Sequence, residues 1–172
     1  PMQKARLGIL DLEQFKRQVK YATLPNATVT DAVMQRGGRY DDTTDYMYMA
    51  NMGIWFENFA LPAVINECLI QSYNGTISLF PNWDLRKDAS FRTLRARGAF
   101  LVSAHVHEST IGPVTIVSEQ GLCCSIINPW KGHKVKITTD EGENILSGEI
   151  LTFNTKKGRS YTLAPITKTI EQ

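Results

Sequence analysis

Two patterns of apolar positions divide the chain near residue 75. Before it, apolar residues recur at steps of three and four; after it, they alternate. Leu12, Phe15 and Val19 form one stripe, with Lys16, Arg17 and Lys20 opposite, and Asp11 stands where a helix needs its N-cap. This predicts a helix that Pro25 ends. Thr30-Asp31 suits the start of a short helix over 32–35, which Gly37-Gly38 closes. From 39 to 52 no period dominates: Asp41, Asp42, Thr43, Thr44 and Asp45 precede Tyr46, Met47, Tyr48 and Met49. The composition predicts a loop of chemically capable side chains beside an aromatic, Met-lined wall. The strongest helical pattern covers 58–73. Leu61, Val64, Ile65, Cys68 and Leu69 give it a broad apolar face, and Pro62 is expected in its first turn, where a missing N–H costs little. A helix this apolar needs burial on most sides.

Beyond Asn74-Gly75 the period is two. Strands are predicted at 76–80, 91–97, 99–107, 114–118, 122–128, 134–138, 145–146, 150–153 and 160–163. Turns at Gly112-Pro113, Glu119-Gln120-Gly121, Asp140-Glu141-Gly142 and Lys156-Lys157-Gly158 separate several of them. Short strands at this spacing predict an antiparallel β-sandwich. The expected fold class is α+β, with a helical segment over 1–75 and a β-sandwich over 76–172.

Composition narrows the function classes. The chain has 172 residues, long enough for a real core, and 42% of them are hydrophobic. Its 19 Lys and Arg against 17 Asp and Glu leave a formal charge of +2, no field strong enough to argue for nucleic acid. Arg86, Lys87, Arg92, Arg95 and Arg97 lie near Trp83 and Phe91, and read best as a solvated strand face or a domain interface. No run of eighteen apolar residues offers a membrane span. Three cysteines without a C-x-x-C support neither a disulfide framework nor a zinc ribbon, so Cys68, Cys123 and Cys124 read as small hydrophobes. His105 and His107 share a strand face but bring no third ligand, and His133 sits in a basic turn, so no metal or cofactor is expected. Asn26 and Asn74 head sequons that matter only in a eukaryotic secretory setting.

The sharpest chemical feature is Gly53-Ile54-Trp55-Phe56-Glu57-Asn58-Phe59. Glu57 and Asn58 stand among aromatics at the mouth of the apolar helix. A carboxylate there, partly desolvated, suits acid–base work, and the rings suit stacking on sugars. Both residue types also favour helix starts, where they satisfy free N–H groups. On spacing alone both readings stand.

The segment from Ile54 to Arg97 resembles the end of glycoside hydrolase family 95, the α-L-fucosidase-like enzymes. That family carries a segment like I-D-G-N-F, a helix like G-x-A-G-I-A-E-M-L-L-Q-S-H, then G-E-I-H-L-L-P and G-L-R-A-R-G-G-F. Asn58-Phe59 match the first. Ala63, Ile65, Glu67, Leu69, Gln71 and Ser72 match the helix, residues 75–81 the strand, and Leu94 to Gly98 with Phe100 the last piece. The close match covers roughly a quarter of the chain.

The resemblance implies the last helices of a catalytic (α/α)6 barrel followed by a C-terminal β-sandwich. It also implies inverting hydrolysis of a glycosidic bond by two carboxyl groups. Phe56 stands where the family has its catalytic Asp; either Glu57 takes the role of general base in a slipped register, or the base is lost. Asn58 and Asp45 are further catalytic candidates, and Trp55, Tyr48 and Asp42 are candidates for substrate contact. The family's general acid lies upstream of anything in this chain. The isolated chain, beginning at Pro1 without Met, is therefore expected to be an inactive piece of a longer enzyme. It is also expected to self-associate through the face that includes Leu61, Val64, Ile65 and Leu69. An extracytoplasmic location follows from the resemblance, and carbohydrate is the expected partner. The competing reading is a non-catalytic carbohydrate-binding or assembly module.

Overall fold

A computed structural model describes residues 1–23 and 55–166, with the backbone alone for 22 and 55–59. The chain divides into two compact units, Pro1–Cys68 and Leu69–Gln172.

The first unit contains α1 (Met2–Arg6), α2 (Leu12–Ala22) and nearly all of α3 (Trp55–Leu69). No periodicity marks α1, yet its stop signal is explicit. Gly8 takes φ 69°, its N–H bonds to Ala5, and the Ile9 N–H reaches back to Lys4. That pair of bonds closes a helix through a left-handed residue, which glycine adopts without strain. α2 begins as expected: the Asp11 carboxylate accepts the Gln14 N–H at 2.9 Å, and Phe15 is buried.

α3 departs from expectation at both ends. It starts at Trp55, so Pro62 lies inside the helix rather than in its first turn. Proline has no N–H to offer the Asn58 carbonyl one turn back. The helix stops at Leu69, and Ile70–Gln71 becomes strand β1, paired with β2 (Ser78–Leu79). Strand pairing overrides the helical period at 70–71, where β-branched Ile70 fits a ladder as well as a helix, and 73 begins a turn. Val64, Cys68 and Leu69 are buried while Leu61 and Ile65 are half-buried, so only part of the expected apolar face meets water.

The second unit is built from antiparallel strands. Its main sheet runs β3 (Ala89–Ala96), β4 (Phe100–His107), β6 (Val114–Ser118), β11 (Ser160–Pro165), β8 (Val135–Thr139) and β9 (Gly142–Leu146), with β5 (Thr110–Ile111) also on β4. A second layer pairs β10 (Ile150–Phe153) with β7 (Cys124–Ile127), and Ile77, just before β2, bridges Ile126 in parallel. Burial alternates along β4, β6, β7 and β10, so each strand turns every second residue inward. Val102, Ile116, Leu163, Ile126 and Leu151 are almost wholly buried. Phe80 against Phe91, at 5.6 Å between ring centres, and Phe153 against Tyr161, at 5.5 Å, join the layers. The expected sandwich-like, antiparallel region is present. The helical part consists of α1, α2 and α3 among the described residues.

Two local devices shape the sheet edge. In β3 the register shifts between Phe91 and Leu94, so Arg92 and Thr93 together face Ser103. Thr93 adopts φ 55° and donates its N–H to the Ser103 hydroxyl at 3.0 Å. At the β4–β5 hairpin, Glu108 and Ser109 fill a two-residue turn with φ 47° and 63°. Such a turn favours Asn-Gly, so Glu108→Asn with Ser109→Gly is expected to stabilise the protein by about 1 kcal/mol. Urea unfolding checks this, and a loss of stability would contradict the turn assignment.

Candidate functional site

The residues singled out for chemistry fall at the margin of the described structure. Asp42, Asp45 and Tyr48 lie outside the described residues. Trp55, Glu57 and Asn58 occupy the first turn of α3, where only the backbone is described. A carboxylate in that turn interacts favourably with the helix dipole, the structural role anticipated for Glu57.

The other pieces of the resemblance are described, and they assemble. The Ser72 hydroxyl accepts the Arg97 N–H at 2.9 Å. The Phe80 N–H bonds to the Leu69 carbonyl at 2.7 Å, and the Phe80 ring rests on Phe91. The residues 94–100 form the β3–β4 hairpin. Gly98 takes φ 86° there, and a Cβ on it would lie 2.6 Å from the Phe100 ring, so this position requires glycine. Arg95 forms a two-pronged ion pair with Glu119, which holds its guanidinium above the ordinary arginine value. The end of the helical motif, the strand motif and the arginine hairpin thus meet at one junction. Their visible work is structural.

The basic stretch resolves as surface. Arg86 pairs with Asp84, whose carboxyl is held down at about 2 chiefly by that side-chain hydrogen bond. Phe91 is buried, so its ring is not presented as a stacking platform, and the half-buried Trp83 donates its indole N–H to the Lys87 carbonyl.

His105 and His107 do share the exposed face of β4. His107 Nδ1 meets an Asp88 carboxylate oxygen at 2.5 Å, and the other Asp88 oxygen accepts the Glu108 N–H at 3.1 Å. Asp88 thereby braces the β4–β5 turn. Its carboxyl is lowered, first by the His107 hydrogen bond and then by the Glu108 N–H. A depressed carboxyl contributes stability above its ordinary range, about 4, which is lost as pH falls through the lowered value. The Glu108 amide resonance should therefore report a titration displaced below the ordinary aspartate range; a titration within or above that range would contradict the brace.

Cys123 is exposed and Cys124 buried, on opposite faces as their adjacency requires; burial, then the neighbouring Cys123, pushes the Cys124 thiol up to about 12. Among the described residues no three His, Cys, Asp or Glu side chains cluster in a way that suits a metal ion, and no helix is long and apolar enough to cross a membrane.

No family model matches the chain, and no curated protein matches it.

One cleft escaped the sequence reading. It is an open groove of about 660 Å³ between the β7–β8 connection and the β9–β10 connection. Lys131, His133 and Lys134 line one side, Ser147 and Glu149 the other, and Ile127 contributes an apolar surface. Buried Asn128 holds both loops. Its amide donates to the His133 and Gly148 carbonyls, each at 3.0 Å, and its side-chain oxygen accepts the Trp130 N–H at 3.0 Å. Its own N–H bonds to the Glu149 carbonyl. The Trp130 indole is anchored in turn to the Ile111 carbonyl at 2.8 Å.

Proposed function

We propose that this chain is the C-terminal part of a glycoside hydrolase resembling family 95, acting by inversion in the full-length parent. The observation that supports this most is the junction: motif pieces up to 25 residues apart come together through Ser72, Phe80, Phe91 and Arg97. A helical segment running into an antiparallel, sandwich-like unit also agrees with the architecture the resemblance implies.

In this reading Glu57 is the general base that activates water. Asn58 and Asp45 assist it, and Trp55, Tyr48 and Asp42 contact the sugar. The general acid comes from upstream sequence, so the isolated chain is inactive. The alternative, a non-catalytic carbohydrate-binding or assembly module, draws on Phe56 standing at the family's Asp position.

The test is turnover of aryl α-L-fucosides and other aryl glycosides by the parent, with the released sugar's anomeric form followed by proton NMR. Hydrolysis with inversion is the expected result. Absence of hydrolysis across the panel would overturn the enzyme reading in favour of the module.

A further inference from the structure

We infer that the cleft between the β7–β8 and β9–β10 connections is a binding site for an acidic saccharide, one bearing a uronic acid carboxylate. The inference stands apart from the glycosidase reading, because the cleft is built entirely within the second unit.

Its volume, about 660 Å³, lies in the range of small-molecule sites and far exceeds an inorganic anion. Two lysines and an imidazole face one carboxylate across it, so its charge balance favours an anion. Among the described residues, neither the Lys131 nor the Lys134 ammonium has a hydrogen-bond or ion-pair partner; nor has the Glu149 carboxylate. Those ammonium groups are available to a ligand carboxylate, while Ser147 and Glu149 suit sugar hydroxyls as donor and acceptor. Ile127 is 42% exposed, a large apolar side chain left open to the C–H face of a ring.

Rigid walls matter as much as the lining. Asn128 satisfies three backbone groups from both connections, and Trp130 pins the longer one to the body of the sheet. Loops held in this way lose little freedom when a ligand arrives, which favours binding.

The experiment titrates the 172-residue chain with digalacturonate, neutral galactobiose and inorganic sulfate, by calorimetry and amide NMR at low salt. Digalacturonate is expected to bind about tenfold or more tightly than galactobiose, with amide shifts centred on 127–134 and 147–149. Lys131→Ala combined with Lys134→Ala should weaken it about tenfold and leave the melting temperature unchanged, since both side chains are exposed. Sulfate binding as tight as digalacturonate would overturn the saccharide assignment. Undiminished binding by the double variant, or shifts centred elsewhere, would overturn the site. Glycosidase activity of the parent bears on neither result.

Discussion

Asn128→Ala lowers the stability of the second unit by about 3 kcal/mol or more. The side chain is 3% exposed and makes three hydrogen bonds. Alanine removes all three partners at once. The carbonyls of His133 and Gly148 and the N–H of Trp130 then lose their partner, and only water from the adjoining cleft can replace it. A buried polar group without a partner costs about 1–3 kcal/mol, and partial hydration of the loops offsets some of the sum. Urea unfolding followed by tryptophan fluorescence reads the loss, with Trp130 beside the substitution as reporter. A loss under about 1 kcal/mol would mean that the two connections hold without this amide. The variant should also blur the cleft, because the same bonds set the distance between its walls.

On the glycosidase reading proposed above, Glu57→Gln in the full-length parent is expected to lower kcat on aryl glycosides by about a thousandfold, within the range usual for a positioned general base. Gln keeps the size of Glu and the helix start but cannot take a proton from water. The acidic limb of the kcat profile, which reports ionisation of the base, should vanish with it. That readout separates chemistry from folding: a helix merely weakened at its first turn would lose activity at every pH and keep the profile's shape. Near-normal turnover would remove Glu57 from the mechanism and return it to the role of a favourable charge at a helix start.

Local signals in the sequence located much of the fold. Asp11 caps α2, alternation marks β4, β6, β8, β10 and β11, and glycine marks most of the turns. The misses share a cause. β5 was unseen because its turn is made by Glu108 and Ser109, residues that rarely accept positive φ and are held there with help from Asp88. The helical pattern runs past the end of α3 because Ile70 and Gln71 suit a helix locally, and only the distant Ser78 and Leu79 claim them for a strand. Helix α1 is too short to show a period.

The candidate chemistry was less legible. The acidic loop at Asp42 and Asp45 and the wall at Tyr48 lie outside the described residues. The cleft joins Lys131, His133 and Lys134 to Ser147 and Glu149, segments that no local pattern connects. The buried Asn128 between them reads in sequence as one more loop residue.

The shift of register in β3 has a bearing on how the protein behaves in company. Among the described residues, β3 is an outermost strand of the main sheet, the position at which a passing strand could pair. With Arg92 and Thr93 squeezed opposite Ser103, the left-handed Thr93 breaks the even spacing that a second chain would need in order to zip on. Exposed Arg92 places positive charge along the same margin, where a second copy would bring the same charge. The strain at Thr93 thus acts as a guard against fibre-like stacking of one molecule on the next.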